Sequence, residues 1–567
     1  MRPSITRLLV ANRGESARRI FRTARGLGIA TVAVFTEADR DAPFVGEADE
    51  AVALDRLSDR GSGAYLDAPA LVEAARRAGA NAVHPGAGLL SEDAGFAWRC
   101  AEAGLIYVGP SPEAIATLGS KLEAKTLAAE AGVPVLDTEE VDGYPPGKLE
   151  AAAEVLGWPV AVKASVGGSG RAMRVVAEGD DLAEAVEAVR REATAGFGDG
   201  TVFFEPWLED ARHIDVQVFS DGSGRAVHLF ERDSTVGFGH RPVIIEAPAP
   251  KLAQPLRERL VAAALAVAEA AGYVGAGTVE FLVSGEQLWF VEMNSRLEME
   301  HPVTEAILGL DMVDMQLAVA EGRPLPVEAR HCSPSGHAIG VRLSASGPVV
   351  TDHRPEPGHL RRFEMDRAPG VRVETGFVSG STFHGDDPGL ATIVASAATR
   401  SEAVRRLVTA LESIRVHGPR TNRDLLISAL RHPEFGAGAV DAGFLDRHHA
   451  ALSTPRGGTA ALRLHAVAAT LAGPTRSPAG SANFTGPAGE WVEVAYRQDP
   501  SGVVTDVSVD GAALPHVRVG GVSAETVDLE LDGLRRRVAV ARYGDIVDCD
   551  SPLGHTELVL RKVCYEA

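Results

Sequence analysis

The chain has 567 residues, enough for three or four domains, and 56 Lys+Arg against 77 Asp+Glu give it a formal charge of −21. That balance excludes a duplex nucleic-acid binder, whose affinity rests on neutralising phosphates with a basic face. With 45% hydrophobic residues, 23% charged and four scattered cysteines (Cys100, Cys332, Cys549, Cys564), it reads as a globular protein of a reducing cytoplasm without a disulfide framework.

Residues 1–115 alternate strand-like runs with helical patterns. Leu8–Ala11, Thr31–Phe35, Ala82–Val83 and Ile106–Val108 read as strands, and Glu15–Leu27, Ala68–Ala78 and Ala94–Ala103 as helices. This order implies an open parallel α/β sheet with ligand-facing loops at the carboxyl ends of its strands, here Asn12-Arg-Gly14, His84-Pro-Gly-Ala-Gly88 and Gly109-Pro-Ser-Pro112. The N-terminus enters its first strand without an apolar signal core, and no apolar run of 18 residues occurs, so neither export nor a membrane-spanning helix is expected.

Residues 116–335 change character. Val160–Lys163 and Arg174–Ala177 read as two strands joined by a Gly/Ser loop containing Gly167, Gly168 and Gly170. Its backbone amides suit a polyphosphate, though an ordinary loop has the same composition. Two further strands, Thr278–Leu282 and Leu288–Asn294, carry Glu280, Glu292 and Asn294, the last two on one face. These are hard oxygen ligands of the kind Mg²⁺ takes alongside nucleotide phosphates. Lys121 and Lys163, two of only six lysines, complete a set able to bind ATP and stabilise phosphoryl transfer.

Residues 336–450 read as a mixed α+β part with strands His337–Leu343 and Ile393–Ala395 and a helix Glu402–Ser413. Residues 451–485, rich in Ala, Pro, Ser, Thr and Gly around a helix-like Thr459–Leu471, read as a linker. Residues 486–567 read as a small all-β domain, with short strands punctuated by Asp510-Gly511, Asp532-Gly533 and Gly544-Asp545.

Ala11-Asn-Arg-Gly-Glu15, His84-Pro-Gly86, Val162-Lys-Ala-Ser165, Met173-Arg-Val-Val176, Glu231-Arg-Asp233, Glu246-Ala-Pro-Ala-Pro250, Glu292-Met-Asn294 and Glu300-His-Pro-Val-Thr-Glu305 occur in unbroken order. Over roughly residues 5–450 the chain resembles the biotin carboxylases of the ATP-grasp superfamily. The segment Asp548–Leu560 resembles the small β domain that follows this unit in some acyl-CoA carboxylase α chains. The resemblance implies a pre-ATP-grasp sheet, an ATP-grasp domain with a lid over about 135–205, and a two-step reaction. ATP activates bicarbonate as carboxyphosphate, and the carboxyl group passes to a ureido nitrogen of biotin.

It further implies ATP contacts from Lys121, Lys163, Gly167, Gly168, Gly170, Met173, Glu205, Leu208, His213, His240 and Leu282. Mg²⁺ (or Mn²⁺) would bind Glu280, Glu292 and Asn294. Arg296 would grip bicarbonate, Glu300 deprotonate it, and Arg342 stabilise the biotin enolate. No lysine sits in a Met-Lys-Met turn, so biotin is expected only on a separate carrier protein, with a carboxyltransferase subunit as partner and a homo-oligomer as the assembly.

Several positions depart from the family pattern: Ala87 for a tyrosine, Gly237–Pro242 for a Gln-Arg-Arg-His-Gln-Lys run, Glu298 for a glutamine, and Leu343-Ser-Ala-Ser-Gly347 after Arg342. A carboxylate about 4 Å from a bound anion costs about 4 kcal/mol at an effective dielectric of about 20. Glu298 is therefore expected to be protonated, or Arg241 to replace the missing lysine, or the second substrate not to be bicarbonate. Two other functions are compatible with these departures. One is an ATP-grasp ligase of another carboxylate or acceptor, and the other is a non-catalytic assembly or regulatory subunit.

Overall fold

A computed structural model describes residues 4–168, 172–223, 226–238, 241–345, 358–383, 389–473 and 477–565. Gly170 and His240 lie outside the described residues, as does the end of the 343–347 departure. No helix among the described residues is long and apolar enough to cross a membrane.

The N-terminal part is the expected parallel sheet. Its central strand Arg7–Val10 lies between Ala30–Phe35 and Ala82–His84, with Glu50–Ala53 and Ile106–Tyr107 at the edges. Leu8, Leu9 and Val10 are wholly buried, because helices cover both faces and a strand of this kind is apolar throughout. Side-chain caps start the helices: Asp67 accepts from Ala70 N, Asp93 from Phe96 N and Ser111 from Ala114 N.

Asn12 binds the loops at the strand ends together. Its Nδ2 donates to the carbonyls of Pro85 and Ala87 at 3.0 and 3.1 Å. Gly86 makes this approach possible. It has φ +73°, and a Cβ there would lie 2.4 Å from the Asn12 amide nitrogen.

Two antiparallel sheets follow. The smaller orders Glu139–Glu140, Val202–Pro206, Val160–Ala164 and Met173–Val176, and is backed by helices Pro146–Leu156 and Leu182–Phe197. The larger has eight strands, running from Gln287–Asn294 through Gly275–Ser284, Arg212–Ser220, Val227–Phe238, Arg241–Ala247, His337–Ser344 and Gly389–Ala397 to Val371–Glu374. It crosses the division expected at residue 335, since Ile244 pairs with Val341 and Ala247 with Ala338. The ATP-grasp part and the α+β part thus share one hydrogen-bonded sheet.

The expected linker is corrected. Helix Gly458–Leu471 is no tether, because Leu464, His465, Val467, Ala468 and Leu471 are buried against strands from both halves of a nine-stranded antiparallel sheet. That sheet begins at Ala479–Thr485, inside the stretch read as linker. Leu464, Val467, Ala468 and Leu471 recur at i, i+3, i+4 and i+7, the spacing of a helix with a buried apolar face, while Ala460 and Arg463 are exposed. The terminal unit is the expected all-β sheet, against which the preceding helix packs. It is attached to the preceding part through Arg361 with Asp548 (3.0 Å), His417 with Asp550 (2.8 Å) and Arg420 with the Pro487 carbonyl (2.8 Å).

Candidate active site

The nucleotide end is built on strand pairing. Glu280 and Glu292 are direct cross-strand partners, and Asn294 is opposite Thr278. Asn294 Nδ2 donates to Glu280 Oε1 at 2.5 Å, and Lys121 Nζ lies 2.7 Å from Glu292 Oε2. Burial and the adjacent Glu292 and Asp215 carboxylates push the Glu280 carboxyl well above its ordinary value. Glu292 lies below its own, because Lys121 outweighs the effect of burial. Two buried carboxylates forced together, with an amide oxygen beside them, are a donor set that a hard divalent cation relieves, so the residues fit Mg²⁺.

Lys121 also donates to the carbonyl of Gly167 and so joins the larger sheet to the glycine loop. Gly167 has φ +119°, and a Cβ there would lie 2.8 Å from the Phe197 ring. Lys163 Nζ lies 2.9 Å from Glu205 Oε2. Burial and the neighbouring Lys121 lower the Lys163 ammonium to about 8. Glu205 turns its carboxylate to Lys125 and Lys163 behind the small sheet. Met173 is directly across from Lys163, and Leu208 is half-buried after the strand bearing Glu205. His213 pairs with Leu282 on the larger sheet.

The acceptor end begins at Arg296. Its guanidinium contacts Glu92 Oε1 at 3.0 Å, Asn294 Oδ1 at 3.2 Å and Glu298 Oε1 at 3.5 Å. Arg342 Nη1 lies 3.3 Å from Glu300 Oε1. Burial raises the Glu300 carboxyl, but Arg342, Arg232 and Arg296 outweigh it and hold the group below its ordinary value, hence ionised. Ala87 opens onto a cavity walled by Ile20, His84, Leu297, Met299 and Pro302.

Sequence reasoning missed the counter-ion of Glu298. Arg232, fully buried, lies 2.5 Å from Glu298 Oε2 and 3.2 Å from Asp215 Oδ2, and donates to Gln217 Oε1 at 2.8 Å and Thr278 Oγ1 at 3.0 Å. Burial lifts the Glu298 carboxyl to about 7, with Arg232 and Arg296 opposing the rise. Arg241 is exposed on the neighbouring hairpin. Burial thus moves Glu298 toward the protonated form, one of the three expectations, and Arg232 is the counter-ion beside it. The signal lay in Glu231-Arg-Asp233, whose arginine had been given no role. Lys125 was missed as well. It is buried, bonds Thr138 Oγ1 at 2.9 Å, and could have been found among the six lysines.

Two sheets joined by lysines over a carboxylate cluster define an ATP-grasp ligase. Residues 4–115 match the biotin carboxylase N-terminal domain, 120–328 the carbamoyl-phosphate synthase L chain ATP-binding domain, and 341–447 the biotin carboxylase C-terminal domain. The chain is 42% identical to a biotin carboxylase of Halalkalibacterium halodurans over 446 residues, covering 78% of this chain and 97% of that one. It is 41% identical to the mitochondrial methylcrotonoyl-CoA carboxylase subunit alpha of Dictyostelium discoideum, covering 80% of this chain but only 65% of that subunit. A crystal structure of a Campylobacter jejuni biotin carboxylase–ATP complex aligns with a TM-score of 0.74 at 36% identity, covering 78% of this chain and 99% of that one.

The chain belongs to the biotin carboxylase family. It is accordingly an ATP- and Mg²⁺-dependent ligase.

Proposed function

We propose that this chain is the biotin carboxylase component of an acyl-CoA carboxylase, acting on biotin borne by a separate carrier protein. Lys121 and Lys163 hold the phosphates of ATP, with Gly167, Gly168 and Met173 beside them. Glu205, Leu208, His213 and Leu282 complete the nucleotide pocket. Glu280, Glu292 and Asn294 would hold Mg²⁺, which when bound neutralises charge developing on the phosphates. Arg296 orients bicarbonate, and Glu300, already ionised, takes its proton. The freed oxygen bonds to the γ-phosphorus and ADP leaves, giving carboxyphosphate. Carboxyphosphate then gives up its carboxyl group and releases phosphate, which takes the proton of the ureido nitrogen, while Arg342 offsets the enolate charge on the ureido oxygen and the nitrogen bonds to the carboxyl carbon. Arginine suits both positions because its guanidinium stays charged and presents fixed donors.

The observation that carries this reading is the reach of Arg296. One guanidinium touches Asn294 of the cation cluster and lies beside Glu298, so the phosphorylating end and the acceptor end meet at one side chain. The carboxylate at 298 does not demand another substrate, because Arg232 already answers its charge. A carboxyltransferase subunit as partner, a homo-oligomer as the assembly and the cytoplasm as the setting belong to the same proposal.

The test of acceptor identity is transfer of label from bicarbonate, with MgATP, to free biotin and to a biotinylated carrier domain. Label is expected in both, with the carrier the better acceptor. Label in neither, with ADP released in the presence of other carboxylates, would move the chain to the alternative ligase reading. ATP binding without any turnover would make it an assembly subunit.

A further inference from the structure

We propose that His417, Asp550 and His555 form a binding site for a divalent transition-metal ion of the zinc class, at the seam between the carboxylase unit and the terminal β unit. His417 ends the strand Arg415–His417 and is 1% exposed. Asp550 and His555 are direct cross-strand partners on Ile546–Ser551 and Gly554–Tyr565. The two units thus bring together side chains 133 and 138 residues apart in sequence, taking 550 and 555 less 417.

The geometry is that of a shared centre. His417 Nε2 lies 2.8 Å from Asp550 Oδ2 and His555 Nδ1 lies 3.1 Å from Asp550 Oδ1, so both imidazoles address one carboxylate. The rings are stacked at 5.4 Å with 20° between their planes. One ligand atom from each residue lies within 4.8 Å of the other two. Around a tetrahedral ion with bonds of about 2.0–2.1 Å, ligand atoms stand about 3.3 Å apart, so seating the ion draws the three side chains together around one oxygen of Asp550.

The surroundings complete the pattern. A metal-bound histidine turns its other ring nitrogen to a carboxylate or a similar acceptor, which fixes the tautomer and the ring orientation. Here His417 Nδ1 lies 3.1 Å from Tyr543 Oη, and His555 Nε2 lies 3.2 Å from Asp548 Oδ1. Asp548 is wholly buried, and its other oxygen is held by Arg361 at 3.0 Å. Two imidazoles, His555 after giving up the proton it shares with Asp548 and Asp550, and one carboxylate select zinc-like ions over Mg²⁺ or Ca²⁺, which favour all-oxygen shells. A fourth position is left for water. None of these residues belongs to the nucleotide or acceptor site, so this inference is independent of the proposed function. An ion here would clamp the terminal unit to the carboxylase unit. In its absence the same groups form an ordinary hydrogen-bonded network, which is the competing account.

The experiment uses the full chain, stripped with chelator and then titrated with Co²⁺ and Zn²⁺ in excess Mg²⁺, so that the carboxylate cluster of the cleft is occupied. One equivalent of cobalt with the visible absorption of a tetrahedral ion is expected, displaced by zinc. Asp548→Asn keeps all three ligands and should weaken zinc binding about 10–100-fold. His555→Gln should abolish the cobalt spectrum. A second histidine–carboxylate group, His432, Glu434 and His448, lies elsewhere on the carboxylase unit. His448→Gln should therefore leave the titration unchanged. Absence of a stoichiometric cobalt spectrum from the unmodified protein, its survival in His555→Gln, or its loss in His448→Gln would each overturn the proposal, and the first and last of these involve no change at the seam itself.

Discussion

Arg232→Met lowers the stability of the central sheet by about 3–5 kcal/mol, the cost of leaving buried charges without their partner. The arginine has no solvent exposure and touches Asp215, Gln217, Thr278 and Glu298. Methionine matches much of its volume, so the loss comes from stranding two carboxylates rather than from a cavity. Burial already raises Asp215 to about 6 and Glu298 to about 7, even with the guanidinium in place. Removing it shifts both toward their neutral forms. Adding Asp215→Asn and Glu298→Gln to Arg232→Met should recover most of the loss, because replacing every member of a buried ionic group by neutral residues is often nearly neutral. Urea unfolding of the three proteins measures this. A loss below about 1 kcal/mol for Arg232→Met, as for an exposed ion pair, would mean that the network is solvated.

Glu300→Gln lowers the turnover of biotin-dependent ATP cleavage by about 10²–10⁴, the contribution of a positioned general base. Glutamine preserves the shape beside Arg342 but cannot accept the proton of bicarbonate. MgATP affinity should be unchanged, since Glu300 contacts Arg342 rather than Lys121 or Lys163, the lysines proposed to hold the phosphates. Steady-state kinetics with MgATP, bicarbonate and biotin varied in turn separate the two effects. A rise in the KM for ATP with turnover intact would assign Glu300 to nucleotide binding. Turnover within about threefold of the parent would remove it from the proton transfer.

The legible parts of this molecule were those set by local pattern. Strand alternation put Glu292 and Asn294 on one face, and the apolar strands of residues 1–115 announced a parallel sheet. What pattern could not give was tertiary partnership. Arg232 draws its four partners from 215, 217, 278 and 298, which meet only when three strands and the loop after a fourth, Gln287–Asn294, assemble. The unfavourable charge expected at Glu298 followed from setting that residue against the bound anion without its buried counter-ion Arg232. Helix 458–471 was misread for a different reason. Small residues and flanking Pro and Gly suggested a tether, whereas Leu464, Val467, Ala468 and Leu471 at i, i+3, i+4 and i+7 marked a helix with a buried face. The seam joining His417 to Asp550 and His555 was beyond reach, because nothing local links a strand end to a distant hairpin.

The account as a whole requires that the cleft couple triphosphate cleavage to both ends of the site. The most direct measurement is the rate of ADP release from MgATP by the purified chain, with bicarbonate and free biotin supplied singly and together. Release that needs bicarbonate and rises on adding biotin, and that collapses in Lys163→Ala, is the predicted result. Release at the same rate without bicarbonate, or unaltered in Lys163→Ala, would contradict it.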